Sequence, residues 1–313
     1  MRTSRTFRRT AWTLAVLFLL VNAFACFHAY KFTHFTTANV PRTNPGRLGF
    51  AGRLKVVVAG VDNPRPVNRN KPGRAYETIS LQSYERLEAW MIRAPQAKGT
   101  VALFHGYGAA KSRMLERAEI LLGLGYNTLL VDFQGSGGSG GNATTIGYKE
   151  ARDVKAAYDY LAARGEQDIY LLGTSLGAAA ILKALQDYPV KPKGVILEAP
   201  FSTLYEAACA RFRAIGAPSF PMAGMVVFWG GIINGFWGFS HQPVEYARTV
   251  HVPVLMVYGE KDGRVARKEI DDIYNNLPGP KKLVTFPEAG HVNYLSGYSR
   301  EWTAAVAEFI KAQ

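Results

Sequence analysis

Cysteine is nearly absent from this chain, with only Cys26 and Cys209 among 313 residues. Two thiols build no disulfide framework, and Cys26 lies in an apolar leader, which excludes a disulfide-stapled scaffold. No internal repeat and no low-complexity tract is present, so a solenoid or a compositionally biased segment is excluded. The histidines, acids and cysteines show no metal-ligand spacing, and no metal is expected. The glycine-dense run from Gly135 to Gly141 is not followed by a lysine in nucleotide-loop register. Gly106-Tyr107-Gly108-Ala109-Ala110-Lys111-Ser112 ends in Lys-Ser but lacks the preceding glycine and the spacing of a phosphate-cradling loop. No cofactor is therefore expected. No basic stripe is interleaved with aromatics, so a nucleic-acid partner is not expected either.

What the chain has instead is ordinary globular composition, 48% hydrophobic and 19% charged, with a formal net charge of +13. That suits one globular domain with an appendage. Part of the charge is Arg2, Arg5, Arg8 and Arg9 at the N-terminus. The rest is spread over Arg65, Arg69, Lys71 and Arg74, then Lys191 and Lys193, then Lys281 and Lys282. Attraction to an anionic bilayer surface and a generic basic surface are both open readings of it.

The four arginines precede an apolar run from Ala11 to Phe27, which approaches the roughly 20 residues that span a bilayer. The expectation is a membrane anchor over residues 1–32 and a polar stalk over 33–53. Basic residues before the span predict an N-terminus in the cytoplasm and a C-terminal domain on the extracytoplasmic side. Ala23-Phe24-Ala25 has the small-x-small pattern of a cleavage site, so export after signal cleavage is the alternative. Ala25-Cys26 faintly matches a lipidation site.

Beyond the stalk, residues 54–313 show the rhythm of an α/β domain. Lys55–Ala59 reads as the first strand, and Tyr76–Leu81 and Leu87–Ile92 as an antiparallel entry to a sheet. Six further strands follow: Thr100–Phe104, Thr128–Val131, Ile169–Leu172, Val195–Leu197, Val254–Tyr258 and Leu283–Phe286. Lys149–Arg164 reads as an amphipathic helix among them. Strands alternating with helices predict a mostly parallel central sheet with helices on both faces. The region from about 201 to 250 breaks the rhythm. It is aromatic and glycine-punctuated, and carries Phe201, Tyr205, Phe212, Phe220, Phe228, Trp229, Phe236, Trp237 and Phe239. These rings would line an apolar pocket, form the insertion's own core, or dip into the membrane.

The chemistry is concentrated at strand ends. Gly173-Thr174-Ser175-Leu176-Gly177 sits between an apolar strand and a helix-like run, with Ser175 at the apex of the turn. Asp262 and His291 follow the ends of two later strands, in Gly259-Glu260-Lys261-Asp262 and Gly290-His291. In a parallel sheet these ends share one edge, so the three residues can converge. Glu260 and Asp271 compete with Asp262 for the role of acid. His105 reads as a prop for its loop, and His241 and His251 as surface or packing residues. His28 and His34 belong to the N-terminal segment.

These motifs, in nucleophile–acid–histidine order, resemble the alpha/beta-hydrolase superfamily, in its monoglyceride-lipase-like and serine-aminopeptidase-like branch. Leu103-Phe104-His105-Gly106-Tyr107-Gly108 is similar to that family's oxyanion loop, and Asp132-Phe133-Gln134-Gly135-Ser136-Gly137-Gly138-Ser139 to its next conserved loop. The resemblance runs from about Lys55 to the C-terminus. It implies an alpha/beta-hydrolase fold with a lid at the insertion. Ser175 would be the nucleophile, His291 the base and Asp262 its orienting acid, with backbone N–H groups of Tyr107 and Leu176 as oxyanion donors. The family usually has arginine where this chain has Gln134, so any salt bridge made there is absent. The expected activity is hydrolysis of a carboxylic ester or thioester with an apolar acyl part, through an acyl-enzyme. A peptidase acting on short peptides is the runner-up, and a non-catalytic membrane-side binding domain is the reading from another class.

Overall fold

The computed structural model describes residues 5–37, 40–43 and 48–313. Arg2 of the basic cluster and residues 38–39 and 44–47 of the expected stalk lie outside them. The core is one eight-stranded sheet in the order β1-β2-β4-β3-β5-β6-β7-β8. Its strands are β1 (Glu77–Gln82), β2 (Arg86–Ile92), β3 (Thr100–Phe104), β4 (Asn127–Val131), β5 (Ile169–Thr174), β6 (Gly194–Glu198), β7 (Val254–Gly259) and β8 (Lys281–Phe286). The first two are antiparallel, and all pairs from β4 to β8 are parallel. Strands β3, β4, β6 and β7 are buried along their whole length. That is why they are continuous apolar runs rather than alternating ones.

The helices are α1 (Arg5–Thr33), α2 (Phe50–Ala59), α3 (Leu115–Gly123), α4 (Glu150–Ala162), α5 (Leu176–Asp187), α6 (Leu204–Ile215), α7 (Met222–Ile233), α8 (Pro243–Tyr246), α9 (Arg267–Asn276) and α10 (Leu295–Lys311). They divide the core into two hydrophobic clusters, one on each face of the sheet. Leu161 of α4 and Ala178, Ala179 and Ala180 of α5 belong to one, Leu121 of α3 and Trp302 of α10 to the other. The alanine run lets α5 lie close on the sheet beneath the strand–helix turn that carries Ser175.

One expected strand is a helix. Lys55–Ala59 forms the second half of α2 and not the start of the sheet, which begins at β1. Three consecutive valines favour a strand locally. Here Val57 and Val58 stay exposed, and the helix instead lies against the end of α1, where the His28 Nε2 and the Val57 carbonyl are 3.0 Å apart. Tertiary context overrides the local preference.

Among the described residues, Arg5–Thr33 alone is a single helix long and apolar enough to cross a membrane; a signal sequence near an N-terminus passes the same test. Its two ends differ. Trp12, Leu14, Leu17, Phe18, Leu19 and Leu20 are exposed, whereas Ala25, His28, Ala29 and Thr33 are buried against the rest of the protein. The buried end packs on α7. Trp229 donates its indole N–H to Asn22 Oδ1 at 3.1 Å, and small residues, Ala29 and Gly230, meet at the contact. Past the helix, His34 and Thr36 bridge to Ala143 and Pro64.

Several of the scattered basic residues are paired within the fold. Arg65 donates to the Gly141 and Ser139 carbonyls. Arg74 pairs with Glu119, Lys193 with Asp168 and Lys282 with Glu308.

Candidate active site

The turn between β5 and α5 is as tight as its sequence implies. A Cβ on Gly173 would lie 2.4 Å from the Gly177 carbonyl carbon, and one on Gly177 would lie 2.4 Å from the Phe104 oxygen. Only glycine fits at either position. Ser175 itself has φ +53, a region that L-residues avoid. Its backbone N–H donates to the Glu198 carbonyl at 2.7 Å, which ties the strained residue to the end of β6. Ile146 and Ala199, which line the same cavity, also have positive φ, and strain of this kind clusters at functional sites.

Asp262 and His291 come together as the sequence anticipates. The His291 Nδ1 donates to Asp262 Oδ2 at 2.7 Å, and the Asp262 side chain is fully buried. The other carboxylate oxygen accepts from the Arg264 and Val265 amides at 2.8 and 3.0 Å. The competing acids point elsewhere: Glu260 and Asp271 both bond Arg267. His291 and Ser175 line one cavity of about 320 Å³. Tyr107 and Leu176 line it too, and neither donates its amide to another group among the described residues. The amide of Leu176 is the first of α5, where no intrahelical acceptor exists. Two free N–H groups beside a strained serine can stabilise an oxyanion.

The neighbouring loops are propped from below. His105 accepts from the Phe133 amide at Nε2, 3.1 Å, and Nδ1 donates to the Gly106 carbonyl at 2.9 Å. Burial lowers its pKa, so the neutral ring serves as a prop, as read from the sequence. Burial would raise the Asp132 carboxyl, yet the Lys111 charge and the hydrogen bonds from Lys111 outweigh that and hold it low. Lys111, the false nucleotide-loop lysine, is fully buried and pairs with both Asp132 and Glu88. Gln134 is buried, and its backbone N–H, not its side chain, donates to Asp153 Oδ2 at 3.1 Å. Among the described residues no arginine forms an ion pair with that acid, and burial pushes its carboxyl up to about 7. His241 is a packing residue, fully buried with Nε2 donating to the Ile146 carbonyl at 3.0 Å. Burial pushes it down to about 3.

Three residues, one beneath the site and two lining it, escaped the sequence. Glu198 is completely buried and accepts from Arg117, from Thr174 Oγ1 at 2.9 Å and from Trp302 Nε1 at 2.8 Å. Its one local signal was an acid ending an apolar strand. Arg211 of α6 and Arg264 line the cavity, and no lining residue is an aspartate or glutamate.

The inserted helices α6, α7 and α8 stand between β6 and β7. Most of their aromatics pack on each other, as with Phe228 and Trp229 or Trp237 and Phe239. Phe201 reaches the cavity, while Phe212 and Phe236 line a second, smaller one. Phe220, Ile232 and Trp237 remain exposed.

Residues 95–224 match the family described as serine aminopeptidase, S33. An uncharacterized protein of Mycobacterium tuberculosis, Rv2307c, is 28% identical over 221 residues, covering 68% of this chain and 70% of its own. The mouse (Mus musculus) lysophosphatidylserine lipase ABHD12 is 26% identical over 182 residues, 56% of this chain and 44% of its own. Among solved structures, the Pyrococcus furiosus esterase Pf2001 is similar in fold, with a TM-score of 0.66 at 24% identity, over 80% of this chain and 96% of that one.

Proposed function

This chain belongs to the alpha/beta-hydrolase superfamily, with the serine-hydrolase chemistry of its esterase and lipase branch, and from that premise we propose that it cleaves carboxylic esters or thioesters with an apolar acyl part. Ser175 Oγ attacks the acyl carbon while His291 takes its proton. His291 then gives that proton to the departing alcohol or thiol, leaving an acyl-enzyme. Water, deprotonated by His291, releases the acid and restores Ser175. Asp262 keeps the imidazole in the tautomer whose Nε2 can accept a proton. The amides of Tyr107 and Leu176 hold the tetrahedral oxyanion, each worth roughly 3–4 kcal/mol of barrier.

The observation that carries the ester reading is the cavity around Ser175, which is lined by arginines, neutral polar groups and apolar groups and by no carboxylate. A free peptide amine would find no counter-ion there. The family description favours the second reading, a serine aminopeptidase-like peptidase. A series of p-nitrophenyl acyl esters assayed beside aminoacyl amides separates the two. Esters are expected to turn over at least a hundredfold faster, with kcat/KM rising with chain length. Faster cleavage of the amides would reject the ester reading.

The helix α1 is read as an uncleaved anchor, with the catalytic domain outside the cytoplasmic membrane. A contact on the far side of the cleavage point supports this: Asn22 Oδ1 accepts from the Trp229 indole N–H of α7 at 3.1 Å. Cleavage after Ala25 would remove Asn22 and free α7 from that contact. Intact mass of the membrane-extracted protein is expected to include the N-terminal segment; a mature chain starting at Cys26 would overturn the anchor.

A further inference from the structure

The catalytic cavity holds positive charge that ester hydrolysis does not use. Arg117 lines it and is neutralised by Glu198 at 2.7 Å. Arg211 and Arg264 line it as well, and neither guanidinium has a carboxylate partner among the described residues. Arg211 lies over the Tyr107 ring, 4.5 Å from its centre, and Arg42 lies over the same ring at 5.2 Å. Arg42 is held there by the Gly108 and Tyr107 carbonyls. By contrast Arg213, two residues from Arg211, is paired with Glu206 at 3.7 Å.

Gathering these cations without an anion is unfavourable. Burial pushes the Arg211 guanidinium down to about 10, against the attraction of Tyr107 and helped by Arg264 and Arg42. It is still cationic at neutral pH. A planar guanidinium in that setting is suited to a phosphate or carboxylate, which it can bind through two parallel N–H donors.

Arg211 also stands where two cavities meet. The second, of about 80 Å³, shares Tyr107, Ile146, Ala207 and Arg211 with the first. Its far wall is apolar and comes from α1 and α7, with Ala29, Phe32, Val226 and Gly230. An apolar slot thus runs from the cationic site to the inner end of the long apolar helix.

We propose that Arg211 and Arg264, backed by Arg42, form an anion subsite, and that the substrate is an anionic amphiphile whose apolar chain enters the slot between α1 and α7. This deepens the acyl-ester reading of the same site and rests on it. The shared chemistry is a phosphate- or carboxylate-type anion joined to an acyl chain; a soluble phosphate ester would offer the anion alone.

Binding to the full-length Ser175→Ala protein in neutral detergent tests the subsite without turnover. Dodecyl phosphate is expected to bind at least tenfold tighter than dodecanol and at least tenfold tighter than inorganic phosphate. The additional Arg211→Gln substitution is expected to erase most of the first difference, and Arg211→Lys to keep part of it. Equal binding of dodecyl phosphate and dodecanol would overturn the subsite. Equal binding of dodecyl phosphate and inorganic phosphate would overturn the amphiphile. With active protein, the kcat/KM ratio of 1-acyl lysophosphatidic acid to the monoacylglycerol of the same chain is expected to exceed one and to fall at least tenfold in Arg211→Gln. An unchanged ratio rejects the proposal. Fluorophosphonate labelling of the active Arg211 variants, which keep Ser175, reports that the site remains folded. If neither ester is cleaved while dodecyl phosphate still binds selectively, the ester reading has failed and the subsite has not.

Discussion

Ser175→Ala is expected to lower kcat by on the order of 10⁴-fold or more, while leaving the thermal midpoint essentially unchanged. The two halves have separate physical origins. Without Oγ no acyl-enzyme forms, and what survives is the modest catalysis of binding and oxyanion stabilisation by the Tyr107 and Leu176 amides. Stability is spared because Ser175 is fixed through its backbone, whose N–H donates to Glu198 at 2.7 Å. Its hydroxyl makes no hydrogen bond within the fold among the described residues. Asp262→Asn tests the same assignment from the other side. An amide at that position can present its NH₂ to His291 Nδ1 and so favour the wrong tautomer, with a loss of comparable size. Esterase kinetics with fluorophosphonate labelling checks both variants. Retention of labelling and turnover in Ser175→Ala would reject the serine as nucleophile.

Glu198→Ala is expected to cost about 3–5 kcal/mol of stability, among the largest effects available to a single substitution here. The carboxylate is completely buried and takes three kinds of donor: Arg117, Thr174 Oγ1 and Trp302 Nε1. Truncation leaves a buried guanidinium without its counter-charge and an indole N–H without an acceptor. Denaturant or thermal unfolding measures the loss, and a midpoint shift on the order of 10 °C is expected. Replacing both members of the pair, with Arg117→Met added, is expected to recover a large part of it, since an apolar pair leaves no orphaned charge. A Glu198→Ala cost below about 1 kcal/mol would show that water or another group takes over the carboxylate's role.

The residues proposed to carry the chemistry were legible for a definite reason. The run Gly173 to Gly177 combines two steric requirements and one hydroxyl in five residues, and each requirement is met within the turn or by the adjacent strand. Buried strands such as Thr100–Phe104 and Val254–Tyr258 announced themselves as short apolar runs, because both faces of a parallel sheet are covered. Asp262 and His291 were legible as acids and bases just past such strands. Asp262 was the acid named for His291 on the family resemblance, while spacing alone left Glu260 as near a competitor; in the fold Arg267 draws Glu260 away.

Lys55–Ala59 shows the converse. Its three consecutive valines carried a correct local preference, and a neighbour outside the window, His28 of α1, lies against the helix they formed instead. Glu198 and Arg117 are 81 residues apart in the chain, and nothing near either one foretold that burial would pair them. Arg211 became informative only once every acid around the cavity was accounted for.

Local steric and polar patterns therefore sufficed for the strand–helix rhythm, the serine turn and the apolar N-terminal helix, because backbone geometry and hydrophobic periodicity act over a few residues. The pairing of buried charges, the seating of α1 against α7 and the cationic lining of the cavity are products of packing between distant segments. Their energies depend on what solvent is excluded and which opposite charge arrives, and a linear chain does not carry that information at any one position.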